Sequence, residues 1–210
     1  MPAAARRTVG RLHVLTDTRR GRDPLPVVRA ALSAGAPVIQ VRLEDHITDR
    51  EGYELTRRVV ALCREYGATC LVNDRLHLAL AAAADGGHVG AEDLPVTAAR
   101  AVLGPGALLG GTAREPGEAV AAVAAGVDYL GVGPCYPTTT KVLPVAPGGP
   151  DRIARTAAAV PVPVIAIGGV TAARVPELVV AGAHGVAVVG EVSSAADPAA
   201  AVTALLRALS

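Results

Sequence analysis

Residues 164–181, VIAIGGVTAARVPELVVA, hold the unit whose repetition decides the fold. An apolar run suited to a buried strand ends in the paired glycines Gly168 and Gly169, and the Ala-rich stretch beyond Thr171 reads as a helix that stops before Gly182. Elsewhere, short Val/Ile/Leu/Gly-rich runs alternate with helical stretches along the whole chain, the pattern of a parallel sheet built from βαβ units. Strands are expected at 12–17, 38–43, 69–74, 87–91, 108–113, 129–134, 164–169 and 185–192, and helices near 24–34, 49–66, 75–84, 96–103, 115–125, 150–159, 172–181 and 197–209. Ala34-Gly35-Ala36, Ala125-Gly126-Val127 and Ala181-Gly182-Ala183 stand just ahead of three of these strands, where glycine takes the left-handed conformation that ends a helix. Eight strand–helix units in 210 residues leave little room for insertions. The expectation is an α/β chain folded as a single (β/α)8 TIM barrel over residues 1–210, with a doubly wound open sheet as the other architecture and residues 1–11 as a flexible N-terminal extension.

Composition narrows the function. About half of the residues are apolar, enough for one sizeable core, and the formal net charge of +1 comes from scattered acids and bases, without the basic stripe that nucleic-acid binding requires. No apolar run is long enough to cross a bilayer, and Met1 to Arg11 lacks the apolar core of a secretory signal, so no membrane partner is expected and a cytoplasmic location is. Cys63, Cys70 and Cys135 form no CxxC pair, and an odd thiol count fits a reducing compartment, with Cys63 and Cys70 as core filler. Phe and Trp are absent, so branched aliphatic side chains are expected to fill the barrel interior. Lys141 is the sole lysine among twenty basic residues, a hint that an ammonium is wanted there. A homo-oligomeric assembly stays open.

Barrel chemistry sits where strands end, on the C-terminal face. That filter selects Asp17, Gln40, Arg42, Asn73, Asp74, Asp93, Thr112, residues 138–141, Gly168, Gly169 and Gly190, all expected to face one mouth. Asp74 and Asp93 stand at or beyond successive strand ends and are read as sharing a Mg²⁺ ion, with helix capping by Asp74 as the structural alternative. Gln40 and Arg42 share a strand face, and the Arg42 fork matches phosphate oxygens unless an ion pair with Glu44 engages it. Gly168-Gly169 and Val189-Gly190 bring backbone amides to the place after strands seven and eight where barrels often bind phosphate. The irregular stretch from Tyr136 to Gly149, with Thr138-Thr139-Thr140-Lys141, is long enough to be a lid. Two anion sites on one rim imply two phosphorylated small molecules and a transfer between them.

The motifs Gln40-Val41-Arg42, Val72-Asn73-Asp74, His88-Val89-Gly90-Ala91-Glu92-Asp93, the run from Gly133 to Lys141, and Ile167-Gly168-Gly169-Val170-Thr171 follow one another in the order and spacing of a known pattern. The chain resembles the thiamine phosphate synthase family, which also contains thiazole tautomerases, from Leu12 nearly to its end. The resemblance implies a Mg²⁺-dependent transferase of thiamine biosynthesis that joins hydroxymethylpyrimidine pyrophosphate to hydroxyethylthiazole phosphate and releases pyrophosphate by a dissociative route. It implies Arg42 and Lys141 as catalytic neutralisers of pyrophosphate and Asp74 and Asp93 as metal ligands. Gln40, Glu44, Asn73 and Thr112 fall in the pyrimidine-binding region, and Thr138, Thr140, Gly169, Val189 and Gly190 in the thiazole phosphate site.

Several positions depart from that family's pattern. Glu44 stands where a lysine is usual, Ala91 where a glutamine is common, and Thr112 and Gly190 where serines are. A carboxylate facing pyrophosphate costs affinity unless it turns away, pairs with Arg42 or recruits a second cation. A tautomerase-like isomerase and a non-catalytic phosphate-ester-binding relative are the other readings. Against the isomerase, its histidine position holds Arg114, a poor general base, with His46 and His88 as substitutes. His88 is read as structural, pinned in the turn of the fourth strand.

Overall fold

The computed structural model describes residues 9–138, 140 and 145–210. Eight parallel strands close in chain order into a barrel: β1 Leu12–Leu15, β2 Val38–Val41, β3 Thr69–Asn73, β4 Gly86–Val89, β5 Leu108–Ala113, β6 Tyr129–Val132, β7 Val164–Ile167 and β8 Gly185–Val188. The closing ladder pairs Leu12 with Val186 and Val14 with Val188. The open sheet is thereby excluded. Around the barrel run α1 Pro24–Ser33, α2 Asp49–Tyr66, α3 Leu76–Ala81, α4 Val96–Leu103, α5 Pro116–Ala124, α6 Gly149–Ala159, α7 Val175–Val180, α8 Gly190–Ser193 and α9 Pro198–Leu209. None of the helices among the described residues is long and apolar enough to cross a membrane.

The helix ends follow from local chemistry. Asp23, Thr48 and Asp197 cap α1, α2 and α9 through side-chain oxygens, and Thr48 forms a reciprocal capping box with Glu51. Gly35, Gly126 and Gly182 have φ of 91°, 102° and 99°, the left-handed turn expected from the three Ala-Gly repeats. Two elements depart from expectation. Strand eight stops at Val188, and Gly190–Ser193 forms the short helix α8; the seventh helix starts as a 3₁₀ turn over Ala172–Arg174 before α7. An apolar run such as 185–192 has the same composition whether its second half extends or coils, so the boundary is set by packing. Of the expected N-terminal extension, residues 1–8 lie outside the described residues. Residues 9–11 are bonded to the barrel foot: Arg11 Nε donates to the His184 carbonyl at 2.9 Å, and His184 Nε2 lies 3.0 Å from the Val9 carbonyl.

Alternation along the strands divides the core in two. One set, including Leu12, Val14, Ile39, Val41, Val72, Leu130, Val132, Ala166 and Val186, packs outward against the helices, with Cys63 and Cys70 among them as expected. The other fills the barrel: Leu15, Val38, Leu71, Leu108, Tyr129, Ile165 and Ala187. The interior is less uniformly aliphatic than the composition suggested. His13, Gln40, His88 and Tyr129 are buried, and His88 therefore lies within β4 and faces the barrel interior instead of sitting in a turn.

Glycine makes room for these large polar side chains. A Cβ at Gly110 would collide with Cζ of Tyr129 and Nδ1 of His88, and one at Gly131 would lie 3.0 Å from Cε1 of His88. Gly110→Ala is expected to destabilise the fold by about 1–3 kcal/mol through overpacking, measured as a lowered urea midpoint with an unchanged slope. A variant as stable as the parent would show that the interior relaxes around an added methyl.

Candidate active site

The strand C-termini open into one cavity of about 450 Å³. Its wall takes His13 and Leu15 from β1, Gln40 and Arg42 at the end of β2, Asn73 and Asp74 from β3, and His88, Gly90 and Asp93 from β4 and its turn. It also takes Thr112 and Arg114 from β5, Thr138 and Thr140 from the loop after β6, and Gly168, Gly169, Val189 and Gly190 from the ends of β7 and β8. Most of the rim residues selected by strand-end position thus meet around one volume. Two of the expected site positions do not join them: Asp17 points elsewhere and Glu44 is not on the wall. Thr139 and Lys141 lie outside the described residues.

Asp17 is held by its neighbours. Arg19 Nη2 donates to its carboxylate at 2.7 Å and Ser193 Oγ at 3.1 Å, and Arg22 Nε stands 3.7 Å away, beside a smaller cavity against α1 and α8. The Arg19 hydrogen bond draws the Asp17 pKa down to about 2, the sign of an engaged structural carboxylate. This group stitches the end of β1 to α8 instead of facing the mouth.

Arg42 is fixed at both ends. Its N–H donates to Thr16 Oγ1 at 2.8 Å, the Thr16 hydroxyl donates back to the Arg42 carbonyl at 2.7 Å, and Nη1 donates to Glu44 Oε1 at 2.8 Å. The ion pair weighed from sequence therefore forms, while Arg42 still lines the cavity. Glu44 is held in turn by Thr18, whose Oγ1 accepts its N–H at 2.9 Å.

Asp74 adopts a φ of 62°, a left-handed conformation that Asp tolerates better than most residues. Its N–H donates to the His88 carbonyl at 2.9 Å, and Leu76 N–H donates to its own carbonyl at 3.0 Å. Helix α3 begins one residue later than expected, with Arg75 at its N-cap position and no side-chain cap hydrogen bond. Asp93, on the exposed turn after β4, accepts the Gly90 N–H at 2.8 Å. Both carboxylates line the cavity and offer hard oxygen donors of the kind Mg²⁺ prefers.

The cavity floor is a hydrogen-bonded chain. Gln40 Nε2 donates to Tyr129 Oη at 3.4 Å, Tyr129 Oη lies 3.2 Å from His88 Nδ1, and His88 Nε2 lies 2.9 Å from Thr112 Oγ1. Burial holds the His88 pKa down to about 4 against the opposing pull of Asp93, and the His13 pKa down to about 3. Burial also raises the Tyr129 phenol above its ordinary value. The floor is therefore polar, neutral and fixed.

Opposite lies a cradle formed by the loops after β6, β7 and β8. Gly169 has φ of 63°, and a Cβ there would strike the Pro137 carbonyl and lie 2.9 Å from Cβ of Tyr136. A Cβ at Gly190 would stand 3.6 Å from the Thr140 hydroxyl. Tyr136 N–H continues the ladder to the Gly168 carbonyl at 2.9 Å, and the Tyr136 hydroxyl donates to Glu177. Buried Arg152 gathers both roots of the same loop, with Nη1 donating to the Pro134 carbonyl at 3.2 Å and the Ala146 carbonyl at 3.3 Å. Thr138 and Thr140 are thus brought beside the glycine backbones that follow β7 and β8.

Sequence reasoning missed His13, Tyr129 and Arg174, all on the cavity wall. His13 and Tyr129 carried a usable signal, since each sits two residues before another interior position, Leu15 or Gly131. Arg174 carried none. It acts only through tertiary contact, donating to the Gly169 carbonyl at 2.7 Å and covering the Tyr136 ring at 4.2 Å.

The family model described as thiamine monophosphate synthase matches residues 12–192. A thiamine-phosphate synthase of Salinispora arenicola is 63% identical over 204 residues, covering 96% of this chain and 98% of the relative. That of Salinibacter ruber is 45% identical over 199 residues, covering 94% of this chain and 87% of the relative. Among solved structures, a thiamine phosphate pyrophosphorylase from Pyrococcus furiosus superposes with a TM-score of 0.85 at 35% identity, covering 95% of both chains. A match that runs from the first strand past the last, on a rim of this composition, leaves one assignment: the chain belongs to the thiamine monophosphate synthase family.

Proposed function

We propose that this chain is the transferase that joins hydroxymethylpyrimidine pyrophosphate to hydroxyethylthiazole phosphate, yielding thiamine phosphate and inorganic pyrophosphate. The observation that carries the proposal is one cavity with two differently built ends: Asp74 and Asp93 at one, and Thr138, Thr140, Gly169 and Gly190 at the other. The bond between the pyrimidine methylene carbon and the diphosphate oxygen breaks, and its electron pair leaves with the diphosphate. The thiazole nitrogen then donates its lone pair to the methylene carbon. Charge must be stabilised on the departing group, so preorganised electrostatics matter more than proton transfer.

In this reading Arg42 and Lys141 neutralise the diphosphate, with Lys141 assigned from the sequence alone. Gln40, Asn73 and Thr112 orient the pyrimidine, and the His88–Tyr129 chain keeps Gln40 and Thr112 in place. The hydroxyls of Thr138 and Thr140 and the amides of Gly169, Val189 and Gly190 receive the thiazole phosphate. Asp74 and Asp93 suit Mg²⁺, which when bound supplies positive charge against the diphosphate. Glu44 acts through Arg42, setting its position by the 2.8 Å pair. Three buried free thiols support a reducing, cytoplasmic setting.

An isomerase would need a titrating base in the cavity. Arg114 offers a guanidinium, a poor general base, His88 is bonded at both ring nitrogens and His46 is exposed and off the wall, so the transferase is favoured. Purified protein given both substrates and Mg²⁺ is expected to form thiamine phosphate and pyrophosphate in equal amounts, read by chromatography and a coupled pyrophosphate assay. Absence of both products under those conditions overturns the proposal, and tight binding of thiazole phosphate without turnover would instead favour the non-catalytic reading.

A further inference from the structure

Among the described residues the cavity wall carries three guanidiniums, Arg42, Arg114 and Arg174, and three carboxylates, Asp74, Asp93 and Glu191. Two of the guanidiniums are committed within the protein. Arg42 Nη1 pairs with Glu44 at 2.8 Å, which cancels much of its charge, and Arg174 is held by the Gly169 carbonyl and the Tyr136 ring. Arg114 differs from both. Its backbone N–H is fixed by the Glu118 carboxylate at 2.7 Å, while its side chain has no hydrogen-bond or ion-pair partner among the described residues. The residue is half-buried on the wall.

Its place on the rim is set by strand register. Val89 pairs with Gly111 across β4 and β5, so the chain leaving β4 through Gly90 to Asp93 and the chain leaving β5 to Arg114 emerge side by side. Strand β3, which ends at Asn73 before Asp74, adjoins β4 on the other side through the pair Asn73 and His88. Arg114 therefore stands on the rim next to the strand ends that carry the two carboxylates, between them and the loop after β6, which β5 adjoins through the pair Ala113 and Val132.

We infer that Arg114 is a further substrate-binding residue that receives the diphosphate of the pyrimidine substrate, supplying the positive charge that Glu44 withdraws from Arg42. The inference rests on the transferase reading above. A guanidinium is suited to this role because it stays charged at every working pH, and its planar fork meets two oxygens of a diphosphate at once. A carboxylate pair on the same side, with or without a bound divalent cation, leaves a multiply charged anion in need of that counter-charge.

The test compares the parent protein with Arg114→Gln and Arg114→Lys. Circular dichroism checks folding, steady-state kinetics give KM for each substrate, and calorimetry measures binding of inorganic pyrophosphate in the presence of Mg²⁺. Arg114→Gln is expected to raise KM for the pyrimidine pyrophosphate and to weaken pyrophosphate binding by about tenfold or more. KM for the thiazole phosphate is expected to stay within about twofold, and Arg114→Lys to recover part of the loss, because a general loss of packing would move both substrates together. Unchanged pyrophosphate affinity in Arg114→Gln, or a KM increase confined to the thiazole phosphate or shared equally by both substrates, overturns the assignment. If the parent turns over and Arg114→Gln matches it, only Arg114 is removed from the site. If the parent itself neither binds pyrophosphate nor forms thiamine phosphate, the transferase reading fails first.

Discussion

Asp74→Asn is expected to lower kcat/KM for the joining reaction by roughly 10²–10³ while leaving the fold intact. The substitution keeps shape and removes charge. Asp74 holds a left-handed φ of 62°, which Asn adopts as readily as Asp, and the backbone hydrogen bonds that fix it, to the His88 carbonyl and from Leu76 N–H, do not involve the side chain. What changes is the charge presented to a cation at the cavity wall. The Mg²⁺ concentration giving half-maximal rate is expected to rise along with the loss of rate, and chelation with EDTA to abolish turnover of the parent protein in a way that added Mg²⁺ restores. Asp93→Asn is expected to act in the same direction more weakly, because Asp93 is exposed and an amide oxygen can still accept the Gly90 N–H. Steady-state rates against Mg²⁺ concentration, with a thermal melt of each variant, separate the outcomes. An Asp74→Asn enzyme with parental kcat/KM and parental Mg²⁺ dependence would remove this carboxylate from the chemistry.

How far the site could be read from sequence depended on whether a residue's surroundings are local. Strands announce themselves through short apolar runs and their glycine punctuation, so the barrel and the approximate level of its rim were legible, and with them the meeting of Arg42, Asn73, Asp74, Asp93, Thr138 and Gly169. Asp17 satisfied the same rule and still turned away. Its partner Ser193 lies 176 residues along the chain, and no local pattern announces a contact made only when α8 folds against β1. The boundary of β8 failed for a related reason: Val188, Val189 and Val192 fit a strand or a buried helix equally, and the coil at Gly190–Ser193 brings backbone to Thr140. The polar floor was hidden by an assumption about composition. A chain without Phe or Trp seemed to need aliphatic layers, but Gly110 and Gly131 open the space that Tyr129 and His88 fill. Arg174 and Arg114 show the two extremes, one defined wholly by tertiary contacts and the other by lacking a side-chain partner among the described residues.

Acidification is expected to destabilise the protein well above the pH at which ordinary carboxylates titrate. His13 and His88 are buried in the barrel, where desolvation lowers their pKa values from 6.5 to about 3 and about 4. Below pH 6.5 the unfolded chain takes up protons that the folded chain refuses, so stability is full above that pH and falls as the pH drops toward 4. With both rings neutral in the fold and charged outside it, the loss approaches about 2.7 kcal/mol per pH unit near pH 5. Integrated from pH 6.5 down to the two folded pKa values, the loss comes to about 8 kcal/mol, comparable with a typical stability of about 5–15 kcal/mol. Asp17 works at lower pH, since its pKa of about 2 removes stability only below the ordinary carboxylate value of 3.8. The local chemistry gives the same sign. A protonated His88 would donate at both nitrogens, so the Tyr129 hydroxyl could no longer donate to Nδ1, and the charge would sit in a buried site with no carboxylate among the described residues bonded to the ring. Urea unfolding between pH 4.5 and 7.5 is expected to show the slope, and His88→Gln to reduce it by about half, the share of one proton. The acid limb of kcat/KM should then track loss of folded protein and not the titration of a catalytic base. Stability that stays level from pH 7 to pH 4.5, or an acid limb seen while the protein remains fully folded, would mean that the two histidines do not hold the floor of the cavity in their neutral forms.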